Sequence, residues 1–183
     1  MRSLINLVVR TAITVLVATS GFGQAPPSYQ FSSGNAALNI PVELIANGLV
    51  FVNAKVNGHA GWFILDNASQ GFTVDRSFAG QIALQSSGSV AARGGGSDSV
   101  AAGVVRDVEI GLPGMELTHR NLVVIDLKPI EPSVGHEVDG IIGSRLFDDF
   151  VVVVDYEHRF VSVYLPKRVQ ALWKRDSVAC PSR

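Results

Sequence analysis

The feature that most limits what this chain can fold into is a series of short Val- and Ile-rich runs separated by Gly or Asn. In order they read IPVELIANG, LVFVNAKVNG, GWFILDN, FTVD, SVAAGVVRDVEIG, MELTHRNLVVIDL, DGIIGSRLF and FVVVVDYEHRFVSVYL. Short β-branched runs with turn residues at close intervals describe an all-β barrel or sandwich. Alternation within the runs supports strands: in Leu49 to Val56, Val50, Val52, Ala54 and Val56 fall on one side, and Phe51, Asn53 and Lys55 on the other. Asn57-Gly58 predicts a hairpin turn, and the polar Tyr156-Glu157-His158-Arg159 predicts a second reversal. Ser144 to Asp149, SRLFDD, predicts a short helix on which Leu146, Phe147 and Phe150 share a face. VQALWKR, after Pro166, contains good helix formers and could add another.

At 183 residues, 47% of them hydrophobic, the chain suffices for one compact domain. Residues 1–25 carry Arg2 and Arg10, then an apolar segment from Ala12 to Ala18, then Ser20, Gly21, Gly23 and Ala25. This is the order of an export signal, with cleavage after Gly23 or Ala25. Its apolar part falls short of the ~20 residues that span a bilayer, so no stable membrane anchor is expected after cleavage. Residues 26–39, rich in Ser, Pro, Gly and Asn, read as a linker; 40–166 form the domain and 167–183 a C-terminal tail. The expected location is secreted or periplasmic.

Losing Arg2 and Arg10 takes the formal charge from −1 to −3 and leaves no block of basic residues to follow a phosphate backbone. Nucleic acid is therefore not expected as a partner. Cys180 is the only cysteine, so no disulfide forms within the chain. His59, His119, His136 and His158 are scattered without ligand-like spacing, and no metal site is expected.

Two segments hold chemistry. In FILDNASQG, Asp66 ends an apolar run and is followed at once by small and amide side chains. A carboxylate there either closes a turn by accepting backbone N–H groups or takes part in a reaction. In AARGGGSDSVAAG, Gly94, Gly95 and Gly96 carry an entropic cost in any fixed structure, so the stretch is a mobile loop or the tip of a moving hairpin. It lacks the strand, loop and helix context of a phosphate cradle.

Read in order, FILDNASQGFTVD, AARGGGSDSV and VDGIIGSRLFDDFVVVVDYEHRFVSVY resemble the retropepsin-like aspartyl proteases, in particular their exported bacterial branch. The resemblance covers roughly Ile40 to Pro166. It implies a small closed all-β barrel with one short helix and a flap hairpin. It matches Asp66 to the catalytic aspartate, Gly94, Gly95 and Gly96 to the flap over the substrate, and Ile141, Ile142 and Gly143 to the motif supporting the active-site loop. The activity implied is hydrolysis of peptide bonds in a peptide or protein substrate, without metal or cofactor. Two carboxyl groups a few ångströms apart share one proton, so one takes a proton from water while the other gives one to the carbonyl. This chain carries one such motif, so the resemblance implies a C2 homodimer in which each copy supplies Asp66.

Asn67 and Ala68 stand where the family has Thr or Ser and then Gly. Asn67 keeps a donor and an acceptor, and Ala68 keeps its N–H but adds a methyl group. If that position requires a backbone that a β-carbon disfavours, the loop is strained. Two expectations follow: an active endopeptidase, or a weak or inactive relative that binds peptides. A binder unrelated to proteases, with Asp66 merely structural, is the third reading.

Overall fold

The computed structural model describes residues 26–45, 48–86, 88–93, 99–167 and 169. Strands dominate it: β1 (Ser28–Phe31), β2 (Ala36–Ile45), β3 (Leu49–Val56), β4 (His59–Leu65), β5 (Phe72–Asp75), β6 (Ser89–Arg93), β7 (Ser99–Leu112), β8 (Met115–Ile125), β9 (Gly140–Ile142), β10 (Val151–Asp155) and β11 (Phe160–Tyr164). Three short helices interrupt them: α1 (Arg76–Gln81), α2 (Glu131–Val134), which continues a 3-10 turn at Lys128–Ile130, and α3 (Ser144–Asp149). The fold is all-β, as its runs imply. More helical turns are present than the single one expected, and SRLFDD does form α3, burying Leu146 against the core.

The sheet closes on itself. Strands β3, β4, β9, β5, β8 and β7 pair in that order, and β7 returns to β3 through Lys55↔Gly111 and Val56↔Ile110. Closure removes the free edges that an open sheet would expose. Outside this ring, β2, β11 and β10 extend the sheet from β3, while β1 pairs with β8. The turn at Asn57-Gly58 has φ of 48° and 83°, the mirror-image geometry whose twist matches a two-residue hairpin. The reversal at 156–159 joins β10 to β11.

Alternation along β3 divides the apolar residues between two clusters. Val50, Val52, Ala54 and Val56 enter the main core with Phe63, Val74, Leu117 and Leu146. Phe51, on the opposite side and fully buried, joins Ile64, Leu127 and Val138 in a second cluster. Both faces of β3 are thus covered around Phe51, while Asn53 and Lys55 further along the second face are exposed.

The segment expected as a linker contributes structure. β1 pairs with β8 from Ser28↔Thr118 to Phe31↔Met115, and β2 begins at Ala36, with Ala37 buried. Ring contacts of Tyr29 and Phe31 with Phe150 fasten β1 beside α3. The composition of 26–39 concealed this because four of its few apolar residues, Tyr29, Phe31, Ala36 and Ala37, find partners far along the chain, while Leu38 is exposed. The export signal, Cys180 and the helix expected within VQALWKR fall outside the described residues, apart from Val169.

Candidate active site

Asp66 follows β4 directly and opens the loop that leads into β5. Between those strands lies β9, parallel to β4 (Leu65↔Ile142) and antiparallel to β5 (Phe72↔Ile142). The Asp66 loop therefore arches over the end of a third strand, and that strand fixes it. The Asp66 N–H donates to the Ile142 carbonyl at 3.1 Å, the Gly143 N–H to Gly71 at 2.8 Å and the Ser144 N–H to Ser69 at 2.8 Å. Start, middle and end of the loop are each tied to consecutive residues. Within the loop, the Ser69 N–H donates to the Asp66 carbonyl at 3.2 Å and the Ala68 N–H to Asp66 Oδ1 at 3.0 Å. The half-buried carboxylate is thus oriented by its own turn.

Ile141, Ile142 and Gly143 underlie this arrangement in three different ways. Ile142 enters the main core and Ile141 packs against the second cluster, so the two anchor β9 from both faces. Gly143 is present because nothing larger fits: a β-carbon would stand 2.3 Å from the Gly71 carbonyl oxygen and 2.4 Å from that of Ser69. Its side-chain-free backbone lets the two segments approach.

Asn67 and Ala68 are exposed at the loop's crest. Ala68 is absent from the non-glycine residues with positive φ, so its methyl group costs no backbone strain here. The departure from glycine is conformationally neutral within one chain. β6 and β7 pair from Ser89↔Gly103 to Arg93↔Ser99, forming the arms of a hairpin. Gly94, Gly95 and Gly96 belong to the connection between those arms and lie outside the described residues.

Two further carboxylates support the site, and sequence reasoning passed over both. Asp75, at the end of β5, is fully buried and caps α1. Its Oδ1 accepts from the Ser77 N–H at 2.8 Å, the Phe78 N–H at 3.2 Å and the Ser77 hydroxyl; its Oδ2 accepts from the Leu127 N–H at 2.9 Å. Burial opposes its charge, but these bonds outweigh burial and hold its pKa below the ordinary value. Asp139, just before β9, accepts from the Trp62 N–H at 2.8 Å. With that one bond to offset burial, its pKa is raised. Asp75 carried a readable signal, since an Asp followed by Arg-Ser-Phe-Ala fits a helix N-cap. Of the histidines, His136 packs against the rings of Phe51 and Trp62 rather than standing free.

A closed β-barrel with one oriented aspartate on a loop clamped by an Ile-Ile-Gly strand defines the class of aspartyl protease folds. The aspartyl protease family model matches residues 52–146, which include Asp66 and the strand behind it, and the chain belongs to that family. Among solved structures it is similar to a retropepsin-like aspartic protease from Rickettsia conorii, with 13% identity and a TM-score of 0.46 over 76% of this chain and 94% of that one. It is also similar to the retroviral protease-like domain of Ddi1 from Leishmania major, with 15% identity and a TM-score of 0.42 over 66% of this chain and 96% of that one. No curated protein matches it.

Proposed function

We propose that the chain is an exported aspartic-type endopeptidase that acts as a homodimer, secreted or periplasmic, with Asp66 from each copy forming the catalytic pair. The observation that carries this reading is the orientation of Asp66: its carboxylate is held by the Ala68 N–H, on a loop pinned at three points. The ionised member of the pair takes a proton from water as the oxygen attacks the peptide carbonyl carbon. The protonated member gives its proton to the carbonyl oxygen. Collapse of the resulting diol, with protonation of the nitrogen, breaks the C–N bond, so no metal or covalent intermediate is needed. The β6–β7 hairpin serves as the flap, and an extended peptide beneath it would be held through main-chain hydrogen bonds.

A second reading keeps the dimer and the groove but removes turnover, leaving a peptide-binding module. Asn67 and Ala68 favour it, because they replace the hydroxyl and the glycine where two such loops would meet. Incubation with an unstructured protein substrate from acidic to neutral pH, beside Asp66→Asn, separates the readings. Cleavage by the wild type alone supports the peptidase; equal cleavage by both refutes it. No cleavage by the wild type, with activity gained on changing Asn67 to Thr and Ala68 to Gly, favours the second reading. A dimer structure with the two Asp66 carboxyl groups far apart would refute the shared pair.

A further inference from the structure

Two irregularities in the β7–β8 ladder create a second site. Pairing runs Val105↔Leu122, then Val108↔Arg120, then Ile110↔Leu117, so each strand carries one extra residue and the two shifts cancel. Asp107 (φ 59°) and His119 (φ 55°) are the left-handed residues at these bulges, and their side chains meet at 2.6 Å. Bulges re-aim the side chains beside them. Here the buried positions Met115 and Leu117 give way, after His119, to Arg120, Leu122 and Val124, which turns a guanidinium inward.

Arg120 lines a cleft of about 340 Å3 that also receives Gly71 and Phe72 from the end of the Asp66 loop, Arg145 and Asp149 from α3, and His119. Arg120 is 7% exposed. One terminal nitrogen donates to Asp149 at 3.0 Å and the other to the Ser28 carbonyl at 3.4 Å. Its enclosed Nε has no hydrogen-bond partner among the described residues. Buried arginine normally has its donors satisfied, and here one donor is left over. Arg145 is exposed and has no ion-pair partner among the described residues.

We infer that this cleft binds a carboxylate group. Arg120 and Arg145 against Asp149 leave one net positive charge on the lining, which matches a monoanion better than a phosphate dianion. The exposed guanidinium of Arg145 presents paired donors in the plane that a carboxylate accepts, and the buried Arg120 adds positive charge beside it. The volume admits an acidic side chain or a chain terminus. A free small acid has the same chemistry, and only the choice of a peptide as its source rests on the function proposed above.

The test uses the full chain carrying Asp66→Asn, isotope-labelled, with backbone amide shifts recorded during titration. The probes are acetate, a short peptide without acidic side chains and with a free C-terminal carboxylate, the same peptide amidated, and inorganic phosphate. Gly71 and Phe72 should shift with acetate and with the free-carboxylate peptide, and not with the amidated one. Arg145→Gln should weaken both about tenfold or more, the scale of one charge-assisted hydrogen bond, with the rest of the spectrum unchanged. Tighter binding of the peptide than of acetate identifies a peptide source, and equal binding a free acid. The inference is overturned by no shift with either carboxylate, by equal response to the amidated peptide, by unchanged affinity in Arg145→Gln, or by phosphate binding more tightly than acetate. Because turnover plays no part in the measurement, its failure leaves the peptidase reading intact, and an inactive enzyme leaves this one intact.

Discussion

Asp66 opens the loop that leads into β5 and Asp75 ends that strand, and their surroundings differ in kind. Asp75 is fully buried, and both its oxygens are taken by donors from α1 and from Leu127. Asp66 is half-buried and accepts one hydrogen bond among the described residues, from its own turn. A carboxylate with both oxygens engaged by backbone donors fixes backbone. One with acceptor capacity to spare can meet water and a second carboxyl group. The contrast separates a group that fixes backbone from one that keeps acceptor capacity for the chemistry proposed for it.

Substitution should break that symmetry in opposite directions. Asp66→Asn should lower cleavage by about 10³-fold or more while leaving the urea unfolding midpoint nearly unchanged, since it removes a proton acceptor and no buried partner. Asp75→Ala should do the reverse in origin. Three backbone N–H groups lose their acceptor in the interior, and the helix loses its cap, at a cost of about 3 kcal/mol in unfolding free energy. If Asp66→Asn destabilised as much as Asp75→Ala, the distinction between the two would fail.

Gly143→Ala tests the clamp that separates them. Its methyl group cannot coexist with two carbonyl oxygens at 2.3 and 2.4 Å, so the Asp66 loop must move away from β9. We expect about 1–3 kcal/mol of destabilisation and on the order of 10²-fold lower activity, measured by unfolding and by cleavage of a peptide substrate.

The smallest effect should come from Asp139, whose pKa shift runs opposite to that of Asp75. Burial raises Asp139 above its ordinary 3.8, so its contribution to stability is complete below that value and is lost as pH rises through the raised pKa. Asp139→Asn keeps an acceptor for the Trp62 N–H and removes the charge. It should match the wild type in acid and exceed it above that interval, as read from unfolding midpoints against pH. Asp75 has a lowered pKa, and its contribution is present above 3.8 and lost as pH falls through the folded value. Its replacement by Asn should lose its deficit in acid.

What the sequence disclosed, and what it withheld, follows from distance along the chain. The β3–β4 and β10–β11 reversals and α3 were readable because turn residues and helix periodicity act locally. The end of β4 before Asp66 was readable because an apolar run stops there. The insertion of β9 between β4 and β5 has no local signature, since a three-residue strand acquires its neighbours only in the folded state. β1 was hidden for the same reason. Arg120 was hidden differently: strict alternation from Leu117 places Leu117 and His119 on one face and Arg120 on the other, and only the bulge at His119 reverses it. Whether Ala68 strains its loop depends on φ, which sequence does not give; the left-handed residue there is Gly71.

The tie between Asp66 and Ile142 joins residues from opposite halves of the chain. A polypeptide interrupted before β9 would have no strand beneath its Asp66 loop. Placement of the Asp66 loop is thus deferred until synthesis has passed the Ile-Ile-Gly segment.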